Sequence, residues 1–120
     1  MNNIFVSILP LQYQIVYFSA VVQEAILGLP DGLAARYVFL TRRMVVIGPN
    51  LGEPHTKSLG QGLFELRLKS REGIARVFFC AMVGRRIVML HSFLKKSERI
   101  PVRELEIAVG RLKQVKHGIS

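Results

Sequence analysis

The spacing of apolar residues switches between helical and strand-like along the chain, and each switch marks an element. Tyr13-Gln14-Ile15-Val16-Tyr17-Phe18 is rich in β-branched and aromatic residues, a composition that favours a strand. Ser19 follows it and is a good helix N-cap, so this strand is predicted to lead directly into a short helix over 20–27. The cluster Gly28-Leu29-Pro30-Asp31-Gly32 breaks that helix. Leu33, Tyr37, Leu40, Met44 and Ile47 then recur at spacings of three and four, with Arg36, Arg42 and Arg43 mostly off the stripe. That pattern predicts a second helix over 33–47, and with the first a helical hairpin. Residues 48–62, with glycines at 48, 52, 60 and 62 and prolines at 49 and 54, read as a long loop.

From Leu63 the period becomes two: Phe64, Leu66 and Leu68 point one way, Glu65, Arg67 and Lys69 the other. A turn at Ser70-Arg71-Glu72-Gly73, a strand over 74–82, a tight turn at Val83-Gly84 and a strand over 85–94 complete an antiparallel meander. Pro101 suits a first helical turn, and Val102, Leu105, Ala108 or Val109, Leu112 and Val115 form the apolar stripe of a final amphipathic helix. The fold class expected is α+β, with the helical hairpin and the C-terminal helix packed on a small antiparallel sheet. Residues 13–120 read as one domain and residues 1–12 as an N-terminal extension.

Symmetric turns would pair the first hairpin so that residue numbers sum to 143 and the second so that they sum to 167. Arg67 would then face Arg76, and Arg76 would face His91, in one row across three strands. Phe64, Leu66, Leu68, Ala75, Val77, Phe79, Val88, Leu90 and Leu94 would form the core face. Phe78, Met89 and Phe93 would fall on the other face, beneath the C-terminal helix or a partner. Two arginines directly opposed in a sheet cost up to ~1 kcal/mol, and a bound polyanion would offset that cost. Guanidinium groups grip phosphate oxygens bidentately and stabilise the charge that develops in phosphoryl chemistry. A histidine beside them titrates near neutral pH and suits a general base. Glu65 and water could equally satisfy both arginines.

Charge sharpens the picture. Residues 1–54 hold three basic and three acidic side chains, whereas residues 55–120 hold fourteen basic and five acidic. The whole net charge of +9 therefore sits in the second half, as expected of a face that binds nucleic acid, an anionic membrane or an acidic protein. The length of 120 residues suits a single domain. The single cysteine, Cys80, lies in an apolar run and reads as a small core residue. No disulfide framework, clustered metal ligands, phosphate-binding loop or dinucleotide motif is present, so no cofactor and no metal are expected. Ile4 to Leu11 and Ile15 to Val22 are apolar but interrupted by Pro10 and by Gln12, Tyr13 and Gln14, short of the ~20 residues of a span. A cytoplasmic protein without a membrane anchor is expected.

Four blocks carry a family resemblance: Glu53-Pro54-His55-Thr56-Lys57-Ser58-Leu59-Gly60, then Gly62-Leu63-Phe64-Glu65-Leu66-Arg67, then Ile74-Ala75-Arg76-Val77-Phe78-Phe79, then Ile87 to Lys96 followed by Pro101 to Lys113. In this order they resemble the RelE/HigB superfamily of toxins from bacterial type II toxin-antitoxin systems, specifically its phage-derived HigB-like subgroup. The resemblance implies a RelE-like fold and a metal-independent endoribonuclease, an mRNA interferase that enters the ribosome and inhibits translation. It also implies a cognate antitoxin, with a helix-turn-helix domain, as partner. Arg67 and Arg76 resemble the family's basic residues of the catalytic face, and Lys95 or Lys96 its basic residue after the last strand, with Lys96 the catalytic candidate. Ser97 to Val102 offers neither the Tyr nor the His that some members carry near the C-terminus. His91 is the candidate base, with Lys57 and Lys69 as alternatives, while Lys57, Lys69, Lys95 and Arg99 are the candidate RNA-binding residues. His55 and His117 receive no chemical role.

The competing function is a non-catalytic binding module that holds nucleic acid or an acidic protein on the basic face. Convergence of Arg67, Arg76 and His91 on one exposed face would favour catalysis, and arginines locked in salt bridges would favour binding. Membrane-surface binding by the last helix is weaker still, because Glu104 and Glu106 dilute its basic side.

Overall fold

The computed structural model describes residues 12–119. The predicted extension over 1–12 therefore lies, but for Gln12, outside the described residues. Strand β1 (Gln14–Tyr17) runs into helix α1 (Ala20–Leu27), and α2 (Asp31–Ile47) follows. Strands β2 (Thr56–Gly60), β3 (Leu63–Ser70), β4 (Gly73–Met82) and β5 (Arg86–Lys95) come next, and helix α3 (Val102–Ile119) closes the chain. The architecture is α+β, a five-stranded sheet in the order β1-β5-β4-β3-β2 with three helices.

Local chemistry sets the boundaries. The Ser19 hydroxyl accepts a hydrogen bond from the Val22 N–H at 3.2 Å, which caps α1 as its sequence predicts. The N-terminus of α2 is tied to the β3–β4 turn, where the Gly32 N–H donates to Glu72 Oε1. A side chain at position 32 would put its Cβ 2.6 Å from that oxygen, so the Glu72 carboxylate would have to shift to admit one.

Two expectations about the sheet are corrected. It is mixed, because β1 pairs in parallel with β5. Residues 56–60, expected as loop, form an edge strand antiparallel to β3, joined to it by Gln61-Gly62, both with positive φ. That is the backbone a type I′ hairpin needs. Thr56-Lys57-Ser58-Leu59-Gly60 gives no alternation to read, since an edge strand with a bulge between Ser58 and Gly60 buries little of itself.

The sheet is covered on both faces. Val22, Ile26, Leu33, Tyr37, Leu40 and Met44 from α1 and α2 pack on Leu66, Leu68, Ala75, Val77, Phe79, Ile87 and Met89. On the opposite face Ala108 and Leu112 of α3 pack on Leu63, Phe78, Cys80, Val88 and Leu90. Val88 and Leu90 thus belong to the α3 side and Met89 to the hairpin side, the reverse of the expected assignment. Leu94 points to the hairpin side yet is 47% exposed. Covering by α3 accounts for Phe78 and Phe93. Burial on both faces makes the middle of β4 a continuous apolar run, so its faces cannot be told apart by alternation.

Cys80 lies in the α3-side core, and burial pushes its thiol pKa up to about 11, with Lys116 acting weakly the other way. A buried neutral thiol is inert. Iodoacetamide at pH 7.5 should leave the native chain unlabelled and modify Cys80 fully in denaturant, as mass spectrometry would read; rapid labelling of the native chain would contradict this packing.

Candidate functional site

The β3–β4 register is the one the four-residue turn predicts: Arg67 faces Arg76, within a ladder running from Leu63↔Cys80 to Ser70↔Gly73. The next hairpin differs. Met82 pairs with Arg86, so the turn contains Val83, Gly84 and Arg85, with positive φ at both Gly84 and Arg85. A second shift follows between Phe78 and Phe79. Together these move β5 by two positions from the symmetric register, so Arg76 faces Phe93 and His91 faces Phe78.

His91 is consequently outside the arginine row. It is hydrogen-bonded through Nε2 to the Glu104 carboxylate of α3, and Arg111 Nη1 stands 3.5 Å from its Nδ1. Arg111 Nη1 also donates to the Leu90 carbonyl at 2.8 Å, and the Arg111 guanidinium lies over the Phe18 ring. The His91–Glu104–Arg111 cluster fastens α3 to β5. The register that recommended His91 as base does not form.

Arg67 and Arg76 converge, and Glu65 reconciles them. Glu65 stands two residues before Arg67 on the same face and diagonal to Arg76 across the ladder. Its carboxylate accepts from Arg67 Nε at 3.0 Å and faces Arg76 Nε at 3.5 Å. Its side chain is only 3% exposed, against 27% for Arg67 and 10% for Arg76. The contact to Arg76 is an ion pair without a hydrogen bond, and neither Glu65 Oε2 nor Arg76 Nε has another hydrogen-bond partner. Arg76 makes one long bond, from Nη1 to the Ala75 carbonyl at 3.4 Å. Burial lowers the Arg76 pKa from the ordinary arginine value, Glu65 opposes that, and Arg67 adds to it. Arg67 reaches a second carboxylate, Glu53, at 3.4 Å.

Arg76 borders two adjoining clefts. One, of about 450 Å³, is lined by Arg36, Pro54, His55, Arg67, Leu68, Lys69, Ile74 and Arg76. It lies where β2 has ended: the Arg67 N–H still pairs with the His55 carbonyl, but Leu68 and Lys69 have no β2 partner. The second, of about 480 Å³, is lined by Ile74, Arg76, Lys95, Lys96, Ser97 and Glu98. The structure therefore gathers Arg67, Arg76 and Lys69 in one cleft and Arg76, Lys95 and Lys96 in the next. Lys57, opposite Glu65 on β2, and Arg99, after β5, are exposed and line neither. Arg36 and His55 are additions. The first depends on where α2 crosses the open end of β3, which no local pattern announces; the second was signalled only by its place in the glycine-containing loop.

Breaking one partner of a buried ion pair costs ~3–5 kcal/mol because the other charge stays behind. Glu65→Ala should therefore destabilise the fold on that scale in denaturant titrations, and Glu65→Gln, which keeps an oxygen for Arg67 but removes the charge facing Arg76, should recover only a small part of the loss. Equal, small effects of both would contradict a carboxylate holding two guanidiniums.

No curated protein matches the chain. One family model does, over residues 24–113: "Phage derived protein Gp49-like (DUF891)". The match runs from the first helix through all four antiparallel strands to the last helix, and so includes every residue of both clefts. The chain belongs to the phage-derived Gp49-like family, whose members are RelE-like toxins of toxin-antitoxin systems.

Proposed function

We propose that this chain is a metal-independent endoribonuclease toxin that cuts mRNA, on the ribosome, and is restrained by a cognate antitoxin with a helix-turn-helix domain. The observation that carries this reading is the Arg67–Arg76 pair beside open solvent. Arg76, nearly buried and short of hydrogen-bond acceptors, borders both clefts. An anion with several oxygens, such as a phosphodiester, would supply what it lacks.

In the reaction proposed, the ribose 2′-oxygen attacks the adjacent phosphorus and gives its proton to a base. The P–O5′ bond breaks, the 5′-oxygen takes a proton from a donor, and a 2′,3′-cyclic phosphate remains. Arg67 and Arg76 would stabilise the charge on the phosphorane, with Lys96 assisting from the adjoining cleft. His55 and Lys69 line the first cleft and would carry the proton transfers there, since His91 lies outside the arginine row. Lys57, Lys95 and Arg99 would extend the electrostatic hold on the RNA strand.

The second reading, a non-catalytic basic module, is favoured by two facts: Glu65 already engages both arginines, and His91 does not converge with them. Induced expression of wild type and of Arg67→Ala/Arg76→Ala, with mapping of mRNA 5′ ends, separates the two. The ribonuclease reading expects growth arrest with new ends inside translated frames, reduced ~10²-fold or more in the double variant. A folded wild type that leaves messages intact and growth unchanged would favour the binding module.

A further inference from the structure

Helix α2 carries a basic and aromatic surface that the cleavage chemistry does not use. Between Asp31 and Glu53 the chain has no acidic residue, so Arg36, Arg42 and Arg43 have no carboxylate near them in sequence. Helical spacing sets all three around Phe39, at i−3, i+3 and i+4. The Phe39 ring is 51% exposed, and the Arg36 guanidinium carbon lies 5.2 Å from its centroid. Arg42 and Arg43 are exposed, and among the described residues no ion pair involves any of the three. A single exposed phenylalanine is ordinary. Its enclosure by three arginines is not, and neither is its continuity with the clefts: Arg36 itself lines the first one, beside Arg67 and Arg76.

We infer that Phe39 with Arg36, Arg42 and Arg43 is a stacking subsite for an unpaired nucleobase of single-stranded RNA whose phosphodiester lies in the Arg67–Arg76 cleft. The inference rests on the RNA-cleaving reading of that cleft and adds where the strand goes on leaving it. Arg36 lies over one face of the ring, so a base would stack on the other face of this half-exposed ring, and the flanking guanidiniums neutralise the neighbouring phosphates. A duplex keeps its bases stacked on each other and cannot use such a ring, so the subsite selects single strands with little regard to sequence.

The test uses the full chain and a fluorescein-labelled 2′-O-methyl oligoribonucleotide of mixed sequence, which cannot be cleaved because the attacking oxygen is blocked. Anisotropy at low salt should show Phe39→Leu, which keeps apolar bulk but loses the ring, binding about tenfold more weakly, in line with the loss of one base stack. The chain contains no tryptophan, so Phe39→Trp places a single indole at the subsite; it should bind at least as tightly as wild type, and its fluorescence should be quenched by an unlabelled oligonucleotide. Arg42→Gln/Arg43→Gln should lower the slope of log affinity against log salt by roughly 1.4, the value for two phosphate contacts on a single strand. Binding of Phe39→Leu within twofold of wild type, with unquenched Phe39→Trp and weakened Arg67→Ala/Arg76→Ala, would overturn the subsite and leave the cleft reading standing. A wild type that does not bind the oligonucleotide at all would overturn the subsite, while the cleft reading stands or falls on the mapped mRNA ends.

Discussion

One buried carboxylate makes the basic face possible. Glu65 sits within the α3-side surface of the sheet and engages two arginines that the β3–β4 ladder forces into opposition. Without it the ladder would hold like charges side by side, one of them nearly out of water. With it, Arg67 is fixed by a hydrogen bond, while Arg76 is held by charge and one long hydrogen bond to the Ala75 carbonyl and keeps other donors unused. The glutamate therefore balances the charge of both arginines but leaves Arg76 Nε without a hydrogen-bond partner, which is what the proposed anion-site reading draws on. The open end of β3 and the chain after β5 then give that site its two clefts.

The rest of the fold holds this arrangement from a distance. Helices α1 and α2 fill one side of the sheet and α3 the other, so the arginine pair stands on a platform packed from both faces. The His91–Glu104–Arg111 cluster and the stacking of Arg111 on Phe18 secure α3 over β5. The chain thus places His91 outside the arginine row, in a polar network that joins a helix to a strand. Position, and not residue type, separates His91 from His55, which lies in the cleft.

The parts of this structure that follow local rules were legible in the sequence. Ser19 caps its helix, the stripe from Leu33 is buried as far as Met44 though its last predicted member, Ile47, is exposed, and the Ser70–Gly73 turn sets the Arg67–Arg76 pair in the register that symmetric pairing predicts. The second hairpin was not legible because its turn takes a third residue, Arg85, at φ 58°, where a non-glycine residue gives no warning. The shift beside Phe78 displaces His91 further. Two-sided burial erased the alternation that would have assigned Val88, Met89 and Leu90 to their faces. Arg36 could not be read at all, since its place in the cleft comes from the packing of α2 against β3 and from the early end of β2.

The central claim is that Glu65 holds Arg67 and Arg76 as one anion-binding unit. The most direct measurement is the arginine Nε–Hε region of the ¹⁵N spectrum, followed while a 2′-deoxy dinucleotide phosphodiester is titrated into the full chain. The account predicts two sharp, protected Nε–Hε signals for Arg67 and Arg76 in the free protein, shifting together along a single binding curve. If one of them shifts alone, or both stay still while other arginines respond, the pair is a structural network and the anion binds elsewhere.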